Sequence, residues 1–342
     1  MPATSASARR ARREQLRDLL RRHDLRALVL GRPPNFAWYT GGADNRVNHV
    51  SPVGVASIVI TAERECILTS TIEAPRMRAE EAGDLEVVDY PWEQDALPAL
   101  RQLTGAGAIG ADHPLPGARD LSAALDPLRY VLDGAAIAQY QEVGAAAMDA
   151  VAEATADFAP GITENAALGA LLAALRRRGL ACPVALAAAD ERIARFRHPV
   201  AGDRPARQRL MVVVCAERHG LYANLTRIIE FTPPADDLAR RQARCDTILR
   251  RMREEATRPG GTLADAFADC RRFYADAGYP DEWRLHHQGG LSGYASREVV
   301  ATSATHQPIQ VGQAFAWNPS ITGAKAEETF ILTEQGPLVV AR

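Results

Sequence analysis

The chain has 342 residues, 47% of them hydrophobic and 24% charged, and a net charge of −2. A chain of this size can bury a core without staples, and its balance of charge argues against nucleic-acid and membrane-surface partners. Five scattered cysteines with no C-x-x-C spacing argue against a disulfide framework or a zinc knuckle and read as small core residues of a reducing, cytoplasmic compartment.

The first segment, ARRARREQLRDLLRRHDL, reads as a surface helix with a solvated arginine face, and no apolar run approaches a membrane span. LRALVLG reads as a buried strand and RPPNFAWYTGG as a turn-rich loop. GVASIVIT and ECILTS form an expected strand pair. LEVVDY and GAIGAD are further strands, with helices near 71–82 and 93–103. This α/β pattern runs to about residue 133. A long helix, IAQYQEVGAAAMDAVAEATADF, opens the second part.

An internal near-repeat follows. PGITENAALGALLAALRRRG spans Pro160 to Gly179, and PGGTLADAFADCRRFYADAG spans Pro259 to Gly278, 99 residues later. In each, threonine is placed as an N-cap and the last glycine just past the helix end. Strands are expected after each copy: RLMVVVCA and LYANLTRIIEF, then AFAWNPS and AEETFILT. The expected fold is α+β, with two similar halves building a curved antiparallel sheet covered by helices on one face.

Taken with HHQGGLSGY and GAKAEETFILTEQG, these segments resemble the pita-bread family of methionine aminopeptidase, prolidase, aminopeptidase P and creatinase. The resemblance implies a creatinase-type N-terminal α/β domain over residues 1–133 and a pita-bread domain with pseudo-duplicated halves over 134–342. It also implies a homodimer. Peptidases of that fold hold two divalent metals with two Asp, one His and two Glu. Those positions fall here on Val213, Asn224, Gly290, Asn318 and Glu327. Only the last can supply a carboxylate, against the +4 charge of a metal pair. Hard and borderline divalent ions need ionised oxygen or imidazole ligands to offset dehydration, so no metal and no cofactor are expected.

Of the 40 lysine and arginine residues, Lys325 is the only lysine. Strand alternation puts Lys325, Glu327 and Thr329 on one face and Glu328 on the other, so Lys325 is expected beside Glu327 in the cleft. A lysine is compact and can lose its proton, unlike arginine. An inert strand-edge ion pair is the plainer interpretation of the same residues. The same alternation groups Tyr222, Asn224 and Thr226. By the resemblance, His198 is the proton-transfer histidine of creatinase-type members and His286 a substrate-side one; in an extended segment the adjacent His287 faces the other way. Asn224, Asn318, His286 and Tyr222 are expected to bind substrate, with Trp38 and Arg46 from a loop of the N-terminal domain. Arg297 and Glu298 are expected as a supporting pair.

The leading expectation is a metal-independent, creatinase-like hydrolase that cuts a C–N bond in a small amino-acid-like or amidine-type molecule, using His198, Lys325 and Glu327. Elimination chemistry is open on the same residues. Two alternatives stand beside it: a non-catalytic pseudopeptidase that only binds, and an Xaa-Pro-type metallo-aminopeptidase or dipeptidase with displaced ligands.

Overall fold

The computed structural model describes residues 6–342, and the chain divides into two compact units between Arg129 and Tyr130. The first unit opens with helix α1 (Ala6–Arg22), strand β1 (Ala27–Leu30) and helix α2 (Pro33–Thr40). Strands β2 (Ala56–Thr61) and β3 (Glu65–Ser70), the short helix α3 (Ala74–Arg76), strand β4 (Glu86–Tyr90) and helix α4 (Ala96–Thr104) follow. Strands β5 (Ile109–Ala111) and β6 (Ala118–Asp120) and helix α5 (Ser122–Leu125) complete it. Its mixed six-stranded sheet runs β4-β3-β2-β1-β5-β6.

One segment departs from expectation. RPPNFAWYTGG is a helix, not a loop: its prolines occupy the first turn, where the missing N–H costs nothing, and Gly41 ends it at φ 80°. Trp38, expected in a cleft-covering loop, is therefore a core residue of the first unit at 4% exposure. Arg46 is gripped by Asp44 through Nε at 2.8 Å and Nη2 at 2.9 Å, so its fork is already engaged.

The second unit contains the repeat. Helix α6 (Gly134–Ala156) precedes α7 (Glu164–Arg177), strand β7 (Ala181–Ala189), the short helix α8 (Arg192–Arg195) and strands β8 (Arg209–Arg218) and β9 (Leu221–Glu230). Helix α9 (Asp236–Arg251) precedes α10 (Leu263–Asp276) and the strands β10 (Gly289–Ser292), β11 (Val299–Val300) and β12 (Ala314–Trp317). A hairpin of β13 (Ser320–Ile321) and β14 (Ala324–Lys325) leads to β15 (Glu328–Thr333) and β16 (Gly336–Ala341).

The two halves correspond in detail. Thr163 caps α7 and Thr262 caps α10, each through its side chain, and Gly179 and Gly278 follow with φ of 71° and 87°. Each capping threonine also forms an isolated antiparallel bridge to a later proline, Pro205 in the first half and Pro308 in the second. Antiparallel sheets β7-β8-β9 and β11-β10-β12-β15-β16 result. They are knitted by Thr329, whose hydroxyl accepts from Asn224 N at 2.8 Å and donates to Asn224 O at 3.0 Å. The core of the second half packs Trp317, Phe315 and Phe330 from the sheet against Phe273 and Tyr274 of α10.

Candidate active site

The hairpin β13–β14 turns at Gly323, with φ 86°, and pairs Ser320 with Lys325. Helix α9 fixes it: Gln242 Nε2 donates to Lys325 O at 3.0 Å and Gln242 Oε1 accepts from Lys325 N at 3.3 Å. The alternation read from the sequence holds. Glu328 turns to Arg253, which grips it through two bonds of 2.8 and 2.7 Å, while Glu327 turns the other way, to Thr226 and Lys325. Lys325 Nζ lies 3.1 Å from Glu327 Oε2, with the two side chains 6% and 2% exposed. The amine of Lys325 is thus enclosed with the acid rather than turned to solvent.

Two further groups complete the grip. Thr226 on β9 donates its hydroxyl to Glu327 Oε2 at 2.7 Å, and Arg297 Nη2 donates to Oε1 at 3.0 Å. Both carboxylate oxygens are therefore engaged. Burial works against the charge of Glu327, but Lys325 and then Arg297 outweigh it and hold the carboxyl down at about 2. Arg297 was expected one layer further out, paired with Glu298; the fold brings it directly onto the acid.

By the resemblance, Asn224 and Asn318 take the places of acids. Asn224 is fully buried, and its Nδ2 points toward Ser292 Oγ and the carbonyls of Tyr222 and Ser296 at 3.3–3.4 Å. Trp317 pairs with Glu328, so continuing the register sets Asn318 opposite Glu327 on one face. Asn224 Oδ1 and Asn318 Oδ1 are both buried without a hydrogen-bond partner. Orphaned acceptors of this kind cost about 1–3 kcal/mol each unless a donor from solvent or a ligand meets them. Tyr222 contributes its carbonyl, which accepts from the Tyr140 hydroxyl.

Three imidazoles form a second cluster. His198 Nε2 and His286 Nε2 are 3.0 Å apart, and the His287 ring lies 4.5 Å from that of His286 and 5.8 Å from that of His198. His287 was expected to face away, as in an extended strand. The segment between Leu285 and Gly289 is not part of a ladder, so strict alternation does not apply, and both rings gather on His198. Burial first and Lys325 second push His286 down to about 3. The same two causes, in the same order, lower His198 from its ordinary 6.5, and burial and then Arg297 lower His287 to about 4. All three rings are neutral near pH 7.

The segment carrying His198 is pinned from beneath by Glu164, which sequence patterning did not single out. This wholly buried acid accepts from Ala189 N at 2.8 Å and Gly202 N at 2.9 Å and pairs with Arg192. On the other side, Arg197 binds Glu282 at 2.7 Å, and Glu282 accepts from Thr322 N at 3.0 Å in the hairpin turn before Lys325.

A family model for metallopeptidase family M24 matches residues 136–334, and one for the creatinase/prolidase N-terminal domain matches residues 12–131. The chain belongs to metallopeptidase family M24. No curated protein matches it by sequence. Among solved structures, dipeptidase PepE from Mycobacterium ulcerans is 20% identical, with a TM-score of 0.80 over 99% of this chain and 97% of that one. The X-Pro aminopeptidase from Thermotoga maritima is 18% identical, with a TM-score of 0.80 over 96% and 97%. The prolidase from Pyrococcus furiosus is 16% identical, with a TM-score of 0.79 over 95% and 98%. These likenesses bear on the fold.

The side chains at the five M24 ligand positions do not fit a metal pair. Glu327 already serves two cationic side chains and a hydroxyl. Val213 is buried and apolar, and the asparagines offer neutral carbonyls. At Gly290 the backbone itself forbids a ligand: φ is 152°, and a Cβ would stand 2.2 Å from Val299 O. The M24 scaffold here surrounds an ion-paired acid in place of a carboxylate cage.

Proposed function

We propose that this M24 protein hydrolyses a C–N bond in a small amino-acid-like or amidine-type molecule without the family's metal pair. The observation that carries the proposal is the enclosed Lys325–Glu327–Arg297 cluster, in which two cationic side chains stand where metal charge would act. Family members cleave peptide C–N bonds, so the reaction class is kept and its source of positive charge is changed.

The residues divide the work as follows. Neutral His198 takes a proton from water through Nδ1, while its Nε2 donates to His286 Nε2 and so holds the ring. The water oxygen bonds to the substrate carbon, and Lys325 and Arg297 offset the negative charge that develops there. The C–N bond then breaks, and the proton on His198 passes to the leaving nitrogen. Glu327 anchors the two cations; a carboxyl held at about 2 is too weak a base to activate water. The orphaned carbonyls of Asn224 and Asn318 accept substrate N–H groups.

The test is a panel of guanidino acids, ureido acids, small amides and Xaa-Pro dipeptides, assayed after exhaustive chelation. Turnover that survives chelation and falls at least about a hundredfold in His198→Ala is expected, in line with loss of a general base. Cleavage of dipeptides alone, and only with added metal, would refute the proposal. Absence of turnover by folded protein on the whole panel would favour a pure binding role.

A further inference from the structure

Outside the acid cluster, the His198–His286–His287 group has a second property. One nitrogen from each ring can be chosen so that all three lie within 4.8 Å of one another. We propose that these three imidazoles bind a single divalent transition ion of the Zn2+, Ni2+ or Co2+ type, at a site separate from the five M24 ligand positions. Neutral imidazole is the preferred protein ligand of these ions, and three of them with an open fourth position is a common zinc arrangement.

Geometry supports it. Ions of this class bond to imidazole nitrogen at about 2.0–2.1 Å, so tetrahedral ligand atoms sit about 3.4 Å apart. The His198 and His286 nitrogens are already 3.0 Å apart, and His198 and His287 each keep surface open to solvent beside them. His286 is 9% exposed, and its Nδ1 is buried without a partner. The contact with His198 therefore satisfies only one of its two ring nitrogens. Access is open through a cavity of about 480 Å³ lined by the three histidines with Phe267, Trp283 and Val300.

The charges that act on the cluster set its character. Lys325 and Arg297 are positive and Glu327 negative, a net charge of +1. An ion seated there gains from an anionic fourth ligand such as chloride, hydroxide or a carboxylate. Coordination also takes the lone pair of His198. If His198 is the base assigned above, the ion suppresses hydrolysis instead of driving it; this last clause alone rests on the proposed function.

The test uses the full chain, stripped with chelator and desalted, titrated with Co2+ at neutral pH while its visible ligand-field bands are followed. One cobalt per chain with four-coordinate bands is expected. His287→Ala should weaken binding at least about tenfold, or 1.4 kcal/mol. Lys325→Met should bind at least as tightly as the parent. Circular dichroism of each variant separates loss of ligand from loss of fold. No saturable binding, binding unchanged in His287→Ala, or binding abolished by Glu327→Gln would each overturn the site. The cobalt readout needs no substrate, so its failure leaves the hydrolytic proposal standing, and the absence of turnover leaves the metal site standing.

Discussion

Position 325 shows what one side chain can decide. An amine on a flexible stem reaches Glu327 Oε2 from two residues away on the same face, leaving Oε1 to Arg297. Removing one partner of a buried ion pair costs about 3–5 kcal/mol because it leaves the other uncompensated. Arg297 and Thr226 remain in Lys325→Met, so a loss of about 3 kcal/mol is expected in urea denaturation at neutral pH. Turnover should be lost as well. The acid's own contribution has a definite pH window. Glu327 titrates at about 2 in the fold and near the ordinary 4.5 when unfolded, so its stabilisation is complete above that value and fades as pH falls toward 2. The stability gap between the parent and Glu327→Gln should accordingly shrink over that interval; a gap that widened on acidification would contradict the ion-pair assignment. His286 behaves in the same direction at higher pH. Its folded value near 3 lies below its unfolded 6.5, so the unfolded chain binds the extra proton first. Stability is therefore full above about 6.5 and declines below it, and His286→Leu should flatten that decline in chelator-treated protein.

At the level of elements, the site depends on segments that no single motif announces. Glu164, at the first position of α7, holds both ends of the segment bearing His198 through Ala189, Arg192 and Gly202. Glu164→Gln keeps the shape but loses charge-assisted bonds, so hydrogen exchange should rise across residues 198–204 while β8 stays protected. Unchanged exchange there would show that the segment is held by other contacts. Strand β10 gives a second case. Adding a methyl group at Gly290 drives it into Val299 O, so Gly290→Ala should cost about 2 kcal/mol or more, measured by denaturation. Sequence patterning located most elements but stumbled where punctuation misled. The paired prolines and glycines around Trp38 looked like a loop and are instead the two ends of a helix. Strand β7, ACPVALAAA, is rich in alanine, a helix former, and is a strand because β8 pairs with it along its length. Alternation correctly divided Lys325, Glu327 and Thr329 from Glu328. It could not reveal Arg297 on the acid, since 30 residues of chain separate them and only sheet closure joins them.

Across the whole molecule, the duplicated architecture of the M24 fold is intact, while the groups at its centre are an ion-paired acid and neutral amides. Caps, bridges and terminal glycines of the two halves still correspond, because they serve folding. The five positions that the resemblance assigns to metal ligands carry valine, glycine, two asparagines and a single acid. That separation explains why the fold was legible from the sequence to its end, whereas the substrate was not: orphaned carbonyls and a cationic pair describe polarity, not a molecule. The most direct test of the central claim is manganese binding by the chelator-stripped chain, followed by electron paramagnetic resonance. Mn2+ favours carboxylate oxygen and is the weakest of the first-row ions for imidazole, so it probes the acid cluster instead of the histidines. The expected result is no tight stoichiometric uptake and no spin-coupled signal. Two tightly held, exchange-coupled Mn2+ ions per chain, lost in Glu327→Gln, would contradict it.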